Sequence, residues 1–136
     1  MSKLKKRTQQ KENLEVCTKC FASKHIVFNF AYITYDKEFD DKARSTFYNR
    51  LLEVSTVPFV TLMTWHKNKG FEDVSIKVNK EIPPQFEKDI QKVDGSYTII
   101  RLYKNNYPTP GRIIGKLVNK VFYIFYIDVK GDLYKH

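Results

Sequence analysis

The chain has 136 residues, of which 42% are apolar and 15% aromatic, so it is long enough for one compact core and too short for two ordinary domains. Its 24 Lys and Arg residues outnumber its 15 Asp and Glu residues, and the resulting formal net charge of +9 favours polyanionic partners, with nucleic acid first among them. The apolar run "VFYIFYI" ends at Asp128, far short of the roughly 18–20 residues that span a bilayer, so we expect no membrane partner.

The first 15 residues, "MSKLKKRTQQKENLE", differ in composition from the rest of the chain. They are rich in Lys and poor in apolar residues. The little apolar surface that they could bury cannot offset the entropy lost on ordering. We therefore predict a basic flexible tail at 1–15 and a single domain at 16–136. The tail could add phosphate contacts to a complex or serve only solubility, and both interpretations stay open. It lacks the apolar segment of a secretory signal, so we expect a cytoplasmic protein.

Two cysteines follow this tail in the stretch "CTKCFASKH". Cys17 and Cys20 have the spacing that lets two thiolates reach one metal, and His25 lies where a zinc knuckle places its histidine. The position expected for a fourth ligand holds Phe30. Two reduced thiols near a strand are therefore the interpretation that we favour, and a structural zinc at Cys17, Cys20 and His25 is the alternative.

The next 45 or so residues predict one strand and two helices. "KHIVFNFAYITY", residues 24–35, is β-branched and aromatic with the alternation of a strand. From Asp40 onward apolar residues recur every three or four positions, which indicates an amphipathic helix with Asp40 or Asp41 at its N-terminus. Residues 55–70 predict a second helix, since Pro58 suits a first turn and Gly70 an end.

After Gly70 the pattern returns to strands. Residues 71–78 predict a short edge strand, 81–95 a polar connection interrupted by prolines, and 96–104 a clear strand. Residues 112–128 predict a hairpin that turns at Asn119-Lys120, and its second strand is apolar on both faces, which is typical of the middle of a sheet. The fold class is therefore α+β: a strand, two helices, then a mostly antiparallel C-terminal meander of three or four strands.

This order of elements resembles the RelE-like ribonuclease toxins and their barnase/colicin-type relatives. The stretch "YTIIRLYKNNYPTPGRIIGKLVNKVFYIFYIDVKGDLYKH" is similar to the closing strands of that family, with "GRIIGKLVNKVFYIFYID" in place of the Arg-containing hairpin and "LYKH" in place of the Tyr- or His-bearing tail. The resemblance implies a cytoplasmic toxin of bacterial or phage origin that cleaves RNA, with an acidic antitoxin as a possible partner.

Candidate catalytic residues follow from the chemistry of RNA cleavage without metal, which needs a base, an acid and cations around the phosphorane. Arg101 and Arg112 fall in strands that would be neighbours, and the chain end at Tyr134 and His136 could fold back over the sheet. These four side chains could converge on one phosphate. The alternative is that Arg112 is a solvated edge residue and that the terminal histidine is disordered.

His66 is a fifth catalytic candidate, beside the only tryptophan and near Lys67 and Lys69, which could hold a phosphate. Its alternative is packing on the inner face of the second helix. Lys116, Tyr103 and Tyr126 are candidates for nucleic-acid binding, because lysines contact phosphates and tyrosines stack on unpaired bases. Strand tyrosines also serve as cross-strand packing partners.

Other enzyme classes are disfavoured, since the chain contains neither a G-x-x-x-x-G-K-[ST] loop nor G-x-G-x-x-G nor G-x-S-x-G. Asp128 and Asp132 could hold magnesium, but Asp132 better suits a turn. We expect no cofactor. The leading hypothesis is a metal-independent endoribonuclease that binds RNA. The alternative is a non-catalytic nucleic-acid- or protein-binding module, such as an accessory or inhibitor protein of a mobile element.

Overall fold

The computed structural model describes residues 24–65, 70–74, 82–90 and 96–133. The strands are β1 (Val27–Asn29), β2 (Phe71–Val74), β3 (Tyr97–Arg101), β4 (Arg112–Val118) and β5 (Val121–Asp128), and the helices are α1 (Asp41–Thr56), α2 (Phe59–Leu62) and α3 (Pro84–Asp89). The α+β class is confirmed, and the predicted tail at 1–15 lies outside the described residues. No helix within the described ranges is long and apolar enough to cross a membrane.

The strands form one sheet in the order β1-β5-β4-β3-β2. The last four strands along the chain are the predicted antiparallel meander, and β1 adds to β5 in parallel. The predicted hairpin turns at Asn119 and Lys120, which both have positive φ (50° and 68°), as a tight turn of the primed type requires. β5 lies between β1 and β4, and both of its faces are apolar because a core packs on each side of it, with Phe122 in one and Phe125 in the other.

Helix α1 packs its apolar stripe on one face of the sheet. The side chain of Asp40 caps the helix by accepting from Ala43 N at 2.9 Å, as predicted from its position. The main core joins the buried face of α1 to β3, β4 and β5, and includes Phe47, Leu51, Val54, Ile100, Ile113 and Phe122. The buried face of α1 therefore packs in the same core as β3.

Two predicted boundaries are wrong. The first strand ends at Asn29 rather than Tyr35, because the Asn29 side chain accepts from Ala31 N at 2.8 Å and turns the chain. The second helix covers only Phe59–Leu62, because the next amides bond three residues back, as Thr64 N does to Thr61 O, and no longer continue the α-helix. The predicted edge position of β2 is confirmed.

The polar connection predicted at 81–95 is also wrong in part, since it contains α3. Pro84 occupies the first turn of this helix, where a proline costs no hydrogen bond. Phe86 is fully buried and its ring lies 4.9 Å from Phe125 and 5.2 Å from Tyr123. This short helix therefore completes a second core on the opposite face of the sheet.

Candidate functional site

A groove of about 350 Å³ lies between α1 and the segment 102–107 that follows β3. We call it the Arg50 groove, and it is lined by Thr46, Asn49, Arg50, Glu53, Leu102, Tyr103, Lys104, Asn105 and Tyr107. One wall is a regular helix and the other is a loop that leaves the sheet. The groove thus brings helix side chains next to the end of β3.

Arg50 is the most buried charged group in this groove, with only 4% of its surface exposed. Its Nε donates to the carbonyl oxygen of Arg101 at 2.8 Å, and its Nη1 lies 3.4 Å from Glu53 Oε1. Burial lowers the pKa of Arg50, while the charge of Glu53 opposes that shift. The backbone of β3 therefore fixes the guanidinium, and one carboxylate compensates its charge.

Lys104 approaches the same carboxylate from the loop. Its Nζ lies 2.7 Å from Glu53 Oε1, the oxygen that also faces Arg50. Arg101 adds a third cation next to the groove, and its Nη1 donates to the carbonyl of Lys104 at 3.3 Å. Two cations thus pair with one acid and a third lies beside them, which leaves this region locally positive.

The rim of the groove carries aromatic and amide side chains. Tyr107 is 82% exposed, and Tyr103 is half-buried against the main core. Asn49 and Asn105 line the groove beside them and can donate and accept hydrogen bonds. An exposed aromatic ring next to cations and amides is the arrangement by which proteins hold unpaired bases and their phosphates.

Arg112 lies opposite Arg101 in the register of β3 and β4, so the predicted proximity of these two residues is confirmed. Only 1% of Arg112 is exposed, however. Its Nη1 donates to Asn106 Oδ1 at 2.9 Å, to Pro110 O at 2.7 Å and to Gly111 O at 3.1 Å. The interpretation of Arg112 as a solvated edge residue is therefore wrong, and the side chain holds the loop that carries Tyr107.

Asp128 lies opposite Arg112 in the register of β4 and β5 and is also buried. Its carboxylate accepts from the backbone amides of Gly131, Asp132 and Leu133 at 2.8–3.0 Å. Burial raises the pKa of Asp128, and these three hydrogen bonds oppose the shift. The two aspartates considered for magnesium thus belong to a turn that Asp128 organises.

The remaining described candidates lie elsewhere. Lys116 Nζ donates to Ser96 O at 3.1 Å and to Ser96 Oγ, and Tyr126 packs half-buried against the second core. His25 is exposed and pairs with Pro58 in an isolated β-bridge. Within the described ranges, no group of three His, Cys, Asp or Glu side chains is placed to hold a metal.

Seven candidates lie outside the described residues: Cys17, Cys20, His66, Lys67, Lys69, Tyr134 and His136. The roles predicted for them therefore stay predictions. Conversely, sequence reasoning missed Arg50, Glu53 and Lys104 as residues of the site. A signal for Arg50 was present, since positions 47, 50, 51 and 54 follow the helical period and place this arginine on the buried face of α1.

The charge of the chain is unevenly distributed along the sequence. The 94 described residues hold 12 Lys and Arg against 11 Asp and Glu, whereas the other 42 hold 12 against 4. Within the described part, residues 96–133 hold six cations against two acids. Within the described residues, the excess of cations therefore lies in the segment from β3 to the end of the described chain, which includes Arg101 and Lys104.

Comparison of the chain with protein-family models, with curated proteins and with solved structures gives no match.

Proposed function

We propose that this protein binds single-stranded RNA in the Arg50 groove. The observation that carries the proposal is the exposure of Tyr107 on the rim of a groove that also presents Lys104 and Arg50. A base stacked on the tyrosine would place its phosphate near the cations, which is how single strands are held without a duplex. The burial of Arg112 beneath the loop supports this placement, because its three hydrogen bonds restrict the backbone at 106–111.

The test is the anisotropy of a short fluorescein-labelled single-stranded RNA titrated with wild type and four variants. Tyr107→Ala should weaken binding about tenfold, since one stacked base contributes about 1–3 kcal/mol. Lys104→Ala should weaken binding less and reduce the slope of log affinity against log salt by about 0.7, as the loss of one phosphate contact predicts.

Two matched controls test whether the loss of any exposed tyrosine or lysine weakens RNA binding to the same extent. Tyr48 is exposed on α1, and Lys130 is paired with Glu38 at 3.5 Å and is as exposed as Lys104. Tyr48→Ala and Lys130→Ala should leave affinity within about twofold of wild type, because neither lines the groove. Equal losses in all four variants would show that RNA binds by general charge, and an absence of wild-type binding would refute the proposal.

RNA cleavage extends this proposal and is separable from it. The metal-independent endoribonuclease that the sequence predicts would draw on His66, Tyr134 and His136, with Arg101 as the half-exposed cation beside the groove. The same labelled RNA, incubated with wild type in EDTA and separated on a denaturing gel, tests cleavage. Cleavage that a stop after Leu133 abolishes would support the RelE-like hypothesis. Binding without cleavage would favour the non-catalytic module.

A further inference from the structure

One carboxylate oxygen in the Arg50 groove faces two cations. Glu53 Oε1 lies 2.7 Å from Lys104 Nζ and 3.4 Å from Arg50 Nη1. Carboxylate and phosphate oxygens are equivalent acceptors for arginine and lysine, and both form short, charge-assisted hydrogen bonds with them. An oxygen between these two nitrogens therefore occupies the position that a phosphate oxygen of a bound strand would take.

We propose that Arg50 and Lys104 form a phosphate subsite and that Glu53 is an internal counter-ion which the phosphate of the ligand displaces. This inference rests on the proposed function, since it assigns the atoms that would meet the RNA backbone. It also goes beyond it, because Glu53 then sets the affinity of the groove rather than contacting the ligand.

Arg50 and Glu53 differ in how firmly they are held. Arg50 stays in place when the carboxylate leaves, because its Nε is bonded to the backbone of β3 and its Nη2 faces Gly70, where even a Cβ would lie at 2.7 Å. Glu53 is 38% exposed and can rotate into water at little cost. The cation is thus preorganised and the anion is replaceable, which is what a displacement mechanism requires.

A buried guanidinium also needs an anion at all times, since an uncompensated buried charge is strongly unfavourable. In the free protein Glu53 meets this need, and in the complex a phosphate would meet it. A ligand without a phosphate would have to bind with Glu53 still in place. The exchange therefore favours phosphate-bearing ligands over neutral bases or nucleosides.

Two substitutions at Glu53 distinguish displacement from a general effect of charge. Glu53→Gln removes the charge of the competitor. Glu53→Asp keeps the charge but shortens the side chain by one methylene, so its carboxylate no longer reaches both nitrogens. Displacement predicts tighter binding for both variants, by about threefold to fivefold, the range of a half-exposed ion pair. A general charge effect predicts tighter binding for Glu53→Gln alone.

The experiment uses the full chain and two probes. Binding of the same labelled single-stranded RNA is measured by anisotropy, and binding of inorganic pyrophosphate is measured by isothermal titration calorimetry. Glu38→Gln and Glu38→Asp are the matched controls, because Glu38 pairs with Lys130 away from the groove, and neither should change affinity. In the background of Lys104→Ala the gain from Glu53→Gln should largely disappear, since the two residues share one subsite. Circular dichroism establishes that each variant is folded.

The outcomes separate the two proposals. If wild type binds RNA and both Glu53 variants bind equally tightly or more weakly, the counter-ion inference is wrong and RNA binding stands. If the Glu53 variants gain affinity for pyrophosphate while no RNA binds, the phosphate subsite stands and the proposed function fails. If neither probe binds wild type or the Glu53 variants, both proposals are overturned.

Discussion

Arg50 and Arg112 are both almost fully buried, yet their surroundings differ. Arg112 Nη1 has three acceptors, namely two backbone carbonyls and the amide of Asn106, all fixed within the loop that it holds. Arg50 Nε donates to the backbone carbonyl of Arg101, and its Nη1 faces the half-exposed carboxylate of Glu53. Burial by itself does not separate a structural cation from the one that we propose binds phosphate, because what matters is whether the acceptors can leave.

The largest expected effect concerns the stability of the two arginine variants. Arg112→Met should lower the free energy of unfolding by about 3 kcal/mol, because it leaves three acceptors of the loop without their charged donor. Arg50→Met should cost about half as much, because Glu53 can turn to water when its partner is removed. Urea denaturation followed by circular dichroism measures both. Equal losses would remove the distinction between the two sites.

Two glycines support the two arginines and allow a sharper comparison. Gly70 has φ +77° and lies against Arg50 and Arg101, and Gly131 has φ +80° and lies against Pro110, an acceptor of Arg112. Alanine at either position should cost about 1–3 kcal/mol, because L-residues rarely adopt this conformation and the added Cβ has no room.

Binding then distinguishes these glycine variants. At equal folded concentration Gly70→Ala should weaken RNA binding several-fold, because it shifts the guanidinium that we place at the phosphate. Gly131→Ala should weaken binding less, because it displaces Pro110 at the base of the loop rather than the guanidinium that we place at the phosphate. The measurement is RNA anisotropy at a temperature where both variants are folded. If Gly131→Ala bound RNA more weakly and Gly70→Ala bound it normally, the phosphate would have to be placed near Arg112 rather than near Arg50.

The smallest expected effect is a pH dependence of the folding stability that arises from Asp128, which lies opposite Arg112. Burial raises the pKa of Asp128 in the folded state, so the folded protein binds more protons than the unfolded chain. Stability should therefore fall as pH rises from about 3.9, the ordinary value, through the raised folded pKa. Asp128→Asn should remove this contribution while its side-chain oxygen still accepts from Gly131 and Asp132.

Unfolding free energies measured between about pH 4 and pH 7 check this expectation. Asp132→Asn is the control, since the side chain of Asp132 is exposed and acts on Asp128 through its charge, while the backbone hydrogen bond from Asp132 is kept. The difference in stability between wild type and Asp128→Asn should change with pH in the direction given. A constant difference across this range would contradict the assigned shift.

Local pattern was enough for much of the fold. Helix α1, its cap at Asp40, the hairpin at Asn119-Lys120 and the central place of β5 could all be predicted from the sequence. Each depends on interactions between residues close in the chain, or on a hydrophobic period that reports burial directly. The helix α3 was missed because its single buried residue, Phe86, is too little to produce a period.

The sequence by itself determined the α+β class, the meander and the adjacency of Arg101 and Arg112, since alternation and turn chemistry fix strand order and register within a hairpin. Only the tertiary structure decided which cations face a groove. Arg50 and Lys104 are 54 positions apart and meet at Glu53 because α1 packs against the end of β3, whereas Arg112 faces its own loop. Long-range packing sets such contacts, and no local period records them.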